Sequence, residues 1–395
     1  MDVPAAKPQR LLSLDTFRGF AMFLMAAELL DLPDVAAQFS ASAFWQAVSF
    51  HSQHVEWTGC SLHDLIQPAF SFMVGVALPF SISSRRAKGA SVPQMMRHAL
   101  VRALILVVLG VLLRFLDEKH IHWTYEDTLA QIGLGYPFLF LLGLCSTRGR
   151  WSALAAILAG YWLFFALHPL PGPDFDRAAA DIPAGWAHDF TGFAAHWNLN
   201  SNAAWAFDRW FLNIFPAGDY FRGNPEGYST LNFIPTLGTM ILGLIAGQWF
   251  RDGHRGAAAM KRLGVAGALC LLAGLALHHS GICPSVKKLW TPSWTLVSGG
   301  WCLFIMAAFH GINDVAGFDK WSFPFQVLGM NSILMYLLVH LVEAVFAAGH
   351  RLHLRFQPFS SMSPAVESAF GGAVLLFVLW SVLFVLHRRR IFLRI

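Results

Sequence analysis

The chain has 395 residues, 56% of them hydrophobic and only 13% charged, with a mean hydropathy of +0.51 and a formal net charge of +5. Soluble domains carry about a quarter charged residues, so this composition excludes an ordinary water-soluble globule. Apolar stretches of membrane-spanning length recur throughout, and the expected fold class is an all-α, polytopic transmembrane bundle.

Ten spans are expected, near 12–32, 63–83, 99–116, 129–146, 151–168, 229–250, 263–279, 293–311, 323–347 and 365–387. Lys7 and Arg10 precede the first apolar run, but no small-residue cleavage site follows it, so the run reads as a retained helix rather than a signal peptide. With the N-terminus inside, the inner segments hold 18 of the 28 Lys and Arg and the outer loops hold 8, Arg18 and Arg114 lying within spans. The bias places both termini on the cytoplasmic side. The positive charge then reads as inner-leaflet anchoring, with no nucleic-acid partner.

Residues 1–395 are expected to form one integral membrane unit, with a long outer loop over 169–228. That loop contains "HWNLNSNAAWAFDRWFLNIFP". Its aromatic and amide side chains suit a sugar-like ligand and equally suit anchoring at the interface. There is no P-loop and no GxGxxG. The five cysteines are scattered without metal-ligand spacing, and no metal is expected. Cys145, Cys270 and Cys302 read as core residues; Cys60 and Cys283 face outward and would pair only if the fold joined them.

Taken along the chain, the polar residues gather at one depth. The first span puts Asp15 and Arg18 near its inner end, one turn apart. Glu28 follows thirteen residues later, roughly 20 Å further out at 1.5 Å per residue. The second span runs back inward, leaving His54 just outside it and Asp64 and Gln67 in its first outer turns. The sixth begins with Ser229, Thr230 and Asn232. The ninth carries Ser332, Tyr336, His340 and Glu343 on one face, the last two near its outer end. Four spans thus bring ionisable or hydroxylic groups to a single layer, more than snorkelling requires, and predict a polar site opening outward.

The segments that build this layer carry a family pattern. "LLSLDTFRGFAMFLM" followed by "HVEWTGCSLHDLIQPAFSFMVGVALPFSI" resembles the heparan-α-glucosaminide N-acetyltransferase family of membrane acetyltransferases. The pattern falls on Asp15, Phe17, Arg18 and Gly19, then on His54, Trp57, Gly59, Asp64, Leu65, Pro68, Phe70, Phe72 and Gly75. "NPEGYSTLNFIPTLGTMILGLIAG" and "FPFQVLGMNSILMYLLVH" resemble later blocks of the family, in the right order. Two departures stand out. Where many members have an arginine-containing block at the start of the fourth span, this chain reads "EDTLAQIGLGY", and Glu28–Leu29 replaces a common asparagine. The eukaryotic enzyme's large lumenal extension is also lacking, so a compact bacterial relative in the inner membrane is expected, its outer side the periplasm.

The resemblance implies transfer of acetyl from cytosolic acetyl-CoA to an acceptor across the membrane, a glucosamine amine in the family. It makes His54 the active histidine. A histidine titrating near 6.5 suits proton abstraction from an amine, worth about 10²–10⁴-fold. His54 would act as that base or accept the acetyl itself, and both readings stand. Asp64 or Glu28 would orient its ring. Trp57, Gln67, Glu226, Ser229, Thr230, Asn331 and His340 are the expected contacts to a small sugar or glycan acceptor. On the inner side, Arg18, Arg97, Arg102 and Arg262 are expected to meet the CoA phosphates, against plain positive-inside anchoring. For Arg18, pairing with Asp15 is the preferred reading. Membrane lipid is an expected partner, and a homodimer is left open. A different class of function, a transporter of a small polar or sugar-like solute lined by Gln131, Tyr136 and Asn331, has no need of acetyl-CoA or of an extramembrane histidine. A scaffold subunit would be indifferent to loss of His54.

Overall fold

The computed structural model describes residues 11–115, 123–216, 219–351 and 363–393. Lys7, Arg10, Lys119, Arg355 and Arg394 of the charge tally lie outside the described residues. Among the described residues the regular structure is helical, the main helices being α1 (Leu12–Ala26), α2 (Leu32–Ala37), α3 (Ala43–His51), α4 (Ile66–Ala87), α5 (Val92–Phe115), α6 (Thr128–Leu144) and α7 (Thr147–Ala166). They continue with α8 (Ala203–Phe211), α9 (Phe233–Arg251), α10 (Gly256–His279), α11 (Pro292–Phe309), α12 (Phe323–Met330), α13 (Ser332–Arg351) and α14 (Pro364–Arg388). A helix stands at each of the ten places expected from the sequence. Among the described residues, six are long and apolar enough to cross a membrane: His63–Ala87, Val92–Phe115, Thr230–Arg251, Gly256–His279, Pro292–Val315 and Pro364–Arg388. The protein is therefore an integral membrane protein.

Two expected spans are shaped differently from a straight rod. The first ends at Ala26 and passes through a 3₁₀ turn over Ala27–Leu30 to Asp31, which adopts φ 49° and turns the chain aside. The ninth is broken: the segments Lys320–Met330 and Ser332–Val345 meet at 73°, and taken together they are long and apolar enough to cross. At the break, Asn331 is buried and spends its amide on the backbone of the tail. Its Nδ2 donates to Ile391 O at 3.0 Å and its Oδ1 accepts from Leu393 N at 2.9 Å.

In lipid, apolar side chains gain little by leaving one apolar medium for another, so helices associate through close packing at small residues. The α4–α9 pair does this from both sides. A Cβ on Gly75 would lie 2.0 Å from Met240 O, and one on Gly243 would lie 1.9 Å from Phe72 O. The α1–α12 pair is built alike, Gly19 facing Phe325 O and Gly329 facing Asp15 O. α1 is anchored at its start by Asp314, whose carboxylate accepts from Leu12 N at 3.0 Å, a negative charge on a helix N-terminus.

A second, smaller core sits at the end of the bundle where α4 begins. Trp57, Trp197, Leu199, Phe165, Cys283 and Val286 meet there, contributed by the ends of helices and by the 169–228 segment. Gly227, at φ 88°, backs onto the Trp57 ring so closely that a Cβ would fall 2.6 Å from it. Thr58 and Val286 form an isolated antiparallel bridge. That bridge fastens the loop before α4 to the loop between α10 and α11. All five cysteines are free thiols.

Candidate active site

The site begins with a helix start. Ser61 and Asp64 form a capping box: the Ser61 hydroxyl accepts from Asp64 N at 3.1 Å, and the Asp64 Oδ2 accepts from Ser61 N at 3.0 Å. The same oxygen accepts from the Ser61 hydroxyl at 3.0 Å. The box fixes Asp64, which is fully buried, and leaves its other oxygen pointing at the preceding loop. There Oδ1 lies 2.8 Å from His54 Nδ1 and 3.3 Å from Lys287 Nζ. Lys287 reaches the site because the Thr58–Val286 bridge holds its loop in place. Its Nζ stands 2.8 Å from Nδ1 and 3.2 Å from Nε2 of His54. A buried carboxylate, a buried ammonium and a partly exposed imidazole thus share one contact.

The electrostatics of the trio favour a neutral ring. Burial lowers the His54 pKa below the usual 6.5, with Lys287 and His63 adding repulsion of the charged form, while Asp64 partly offsets them. Burial likewise draws the Lys287 ammonium down to about 8 despite the attraction of Asp64. Burial pushes the neighbouring Cys60 thiol up to about 12, so it stays protonated and is no competing nucleophile. When Nδ1–H donates to Asp64, Nε2 is the basic nitrogen of the ring, with Lys287 Nζ 3.2 Å from it. His54 remains 40% exposed, open to solvent, whereas Asp64 is sealed.

A second imidazole lies alongside. The His63 and His54 rings are 4.4 Å apart, centre to centre. His63 Nε2 is 2.6 Å from Glu28 Oε1, delivered by the 3₁₀ turn that ends α1. Glu28 therefore serves His63, and it is Asp64 that lies against His54.

The remaining expected residues separate into two groups. His340 lies within electrostatic reach of Glu28 and stacks on Tyr336 at 4.4 Å. Gln67, half-buried on the first turn of α4, and the exposed Glu226 stand at the same end of the bundle. Others are occupied structurally. Trp57 is enclosed in the second core. Ser229 donates to Asn232 Oδ1 at 3.1 Å, and Thr230 N donates to Asp208 Oδ2 at 2.9 Å; both are buried. Gln131 donates to the carbonyls of Tyr125, Ser229 and Thr230. Asn331 holds the tail as described.

On the far side of the site a cavity of about 710 Å³ runs between α1, α4, α5, α6 and α13. One end carries Arg18, Arg85, His98 and Arg102, with Phe392 and Leu393 of the tail on its wall. Arg102 donates to the Tyr136 hydroxyl at 3.2 Å and lies over that ring, Arg85 and His98 touch at 2.7 Å, and Arg18 stands 3.8 Å from Asp15. The middle is apolar, lined by Met22, Met73, Val74 and Leu106. The deep end reaches Phe70 on α4 and Tyr336, whose hydroxyl donates to Asp127 at 2.8 Å. Arg97 and Arg262 are exposed and do not line it.

Lys287 and His63 in the cluster, and Arg85 and His98 at the cavity mouth, had no site role in the sequence analysis. Lys287 appeared only as one outer-loop charge, and nothing local in "SVKKLW" reveals a bridge to Thr58. His63 did carry a signal, being the residue beside Asp64 at the head of a span.

No family model matches the chain. Among curated proteins it is 22% identical to heparan-alpha-glucosaminide N-acetyltransferase of Homo sapiens over 440 aligned residues, covering 99% of this chain and 61% of that protein. It is 22% identical to the same-named protein of Mus musculus over 387 aligned residues, covering 85% of this chain and 54% of that one. The chain is a distant relative of these acetyltransferases and spans little more than half of their length.

Proposed function

We propose that this chain is a transmembrane acetyltransferase. It takes acetyl from acetyl-CoA entering on the cytoplasmic side and delivers it to an amino-sugar-like acceptor on the outer side, with His54 as base or acetyl carrier. The observation that carries the reading is the cavity. Acetyl-CoA is an elongated molecule with a polyphosphate head and a thioester tail. The cavity has a cationic mouth, an apolar middle and a deep end at Phe70 and Tyr336. Asp64, in the turn that leads into α4, and Arg85, in the last turn of α4, are 21 residues and about 32 Å of helix apart, roughly a bilayer's hydrocarbon thickness. Phe70, at the deep end, is only about 9 Å of helix from Asp64. The Lys/Arg bias supports the same direction of transfer.

In this reading Arg18, Arg85, Arg102 and His98 bind phosphate and the apolar middle holds the arm of the donor. His54, kept neutral by burial and by Lys287, meets the thioester from the outer side. Asp64 orients its ring and stabilises positive charge on it during transfer. The ten helices at the expected places act as ten spans, both termini inside, in one unit over residues 1–395 whose 169–228 segment faces outward. Purified protein in nanodiscs, given labelled acetyl-CoA and glucosamine, tests the proposal: label should appear in an amide and His54→Ala should abolish it. CoA that neither binds nor turns over would refute it.

A further inference from the structure

Acetylating an amine leaves a proton to be removed, and a histidine whose nitrogen carries the acetyl cannot remove it. The structure holds a second histidine at that place. His63 is buried, its ring 4.4 Å from that of His54. Its Nε2 lies 2.6 Å from Glu28 Oε1, which leaves Nδ1 without a partner among the described residues. His54 already has its own carboxylate in Asp64. Two carboxylate–imidazole pairs therefore stand side by side, each complete in itself. A single-base mechanism has no use for the second.

We infer that the two pairs divide the reaction: His54 with Asp64 carries the acetyl group, and His63 with Glu28 is the base that takes the acceptor's proton. The inference rests on the acetyltransferase reading given above. In the first half-reaction His54 Nε2 attacks the thioester, the C–S bond breaks, and the sulfur leaves as thiolate, taking a proton from water. The acyl-imidazolium keeps its Nδ1–H on Asp64. In the second half-reaction the acceptor nitrogen attacks the acetyl carbon, forming the amide C–N bond. The bond to His54 Nε2 breaks and its electron pair returns to the ring. The proton shed by the acceptor nitrogen moves to His63 Nδ1, giving an imidazolium whose Nε2–H faces Glu28. That proton then passes to water, and the net change is thioester plus amine to amide plus thiol. His63 is then a catalytic base and Glu28 a positioning residue.

A structural role and a base role part company when the acceptor is changed. Hydroxylamine is largely unprotonated at neutral pH and a strong nucleophile, so it needs little help from a base; glucosamine needs it. In His63→Gln, release of CoA thiol in the absence of acceptor should stay within a few-fold of wild type. Transfer to glucosamine should fall about 10²–10⁴-fold, and transfer to hydroxylamine by less than tenfold. Glu28→Gln, which keeps size and reach, should show the same acceptor dependence with a smaller loss, so the test survives poor folding of the histidine variant. Equal losses for both acceptors, or none for either, would overturn the role of His63. Wild-type turnover with no thiol released before acceptor is added would overturn the acetyl-carrier half. Failure of the wild type to acetylate either acceptor would instead remove the reading on which the inference rests.

Discussion

Replacing Lys287 by Met removes an ammonium that burial has already weakened. Its pKa falls from 10.5 to about 8 because desolvation outweighs the attraction of Asp64. Between those two values the unfolded chain binds more protons than the folded protein, so stability should rise with pH across that window. At about 1.4 kcal/mol per pH unit the full change is about 3 kcal/mol. Lys287 is 4% exposed, so solvent screening removes little of it. The assay is reversible unfolding in mixed micelles followed by tryptophan fluorescence, in wild type and Lys287→Met, below and above the window. Wild type should gain about 3 kcal/mol over the variant between the two conditions. Parallel pH profiles would refute the argument, because they would mean that Lys287 titrates alike folded and unfolded.

The same substitution removes one of the influences that lower the His54 pKa. In Lys287→Met the acidic limb of the acetyl-transfer profile should therefore move to higher pH; an unmoved limb would detach Lys287 from His54. His54→Ala should leave less than a tenth of wild-type transfer with CoA binding intact, since an exposed loop residue supports little packing. Arg102→Gln or Arg85→Gln should weaken CoA binding about tenfold or more in calorimetry, while Arg97→Gln and Arg262→Gln, whose side chains are exposed away from the cavity, should not. Gly243→Ala should sharply reduce the yield of monodisperse protein, because its Cβ would meet a carbonyl oxygen at 1.9 Å rather than a movable side chain.

Much of the bundle was legible because lipid imposes a simple rule on sequence: a span must be apolar for a fixed length. Among the described residues, helices at six of the ten expected places meet it, and the broken pair Lys320–Met330 and Ser332–Val345 meets it when taken together. The break at Asn331 was not legible, because the apolar run continues through it and the reason for the break, the tail's backbone, lies some 60 residues away. Site residues divide along the same line. His54 and Asp64 sit ten residues apart on one loop and helix start, and a capping box links them locally. Lys287 meets them across 233 residues through a single backbone bridge that no periodicity announces. Arg97 and Arg102 look alike in sequence, yet only Arg102 has its side chain turned into the cavity. Of the two carboxylates expected to orient His54, Asp64 lies against it, and the 3₁₀ turn after α1 brings Glu28 to His63.

The reciprocal glycine contacts between α4 and α9 constrain how a bulky donor could enter. Met240 O and Phe72 O sit where side chains would otherwise separate the two backbones. Such a seam has no slack: sliding either helix along its axis would drive a carbonyl into a Cα. α4 and α9 therefore behave as a fixed post, with Asp64 at one end of it. The cavity wall at α6 meets the post differently: Gly135 and Gly143 face the side chains of Met240, Ile82 and Leu78, which can change rotamer. Any widening of the cavity therefore falls to that wall, while Asp64 at the head of the post keeps its place.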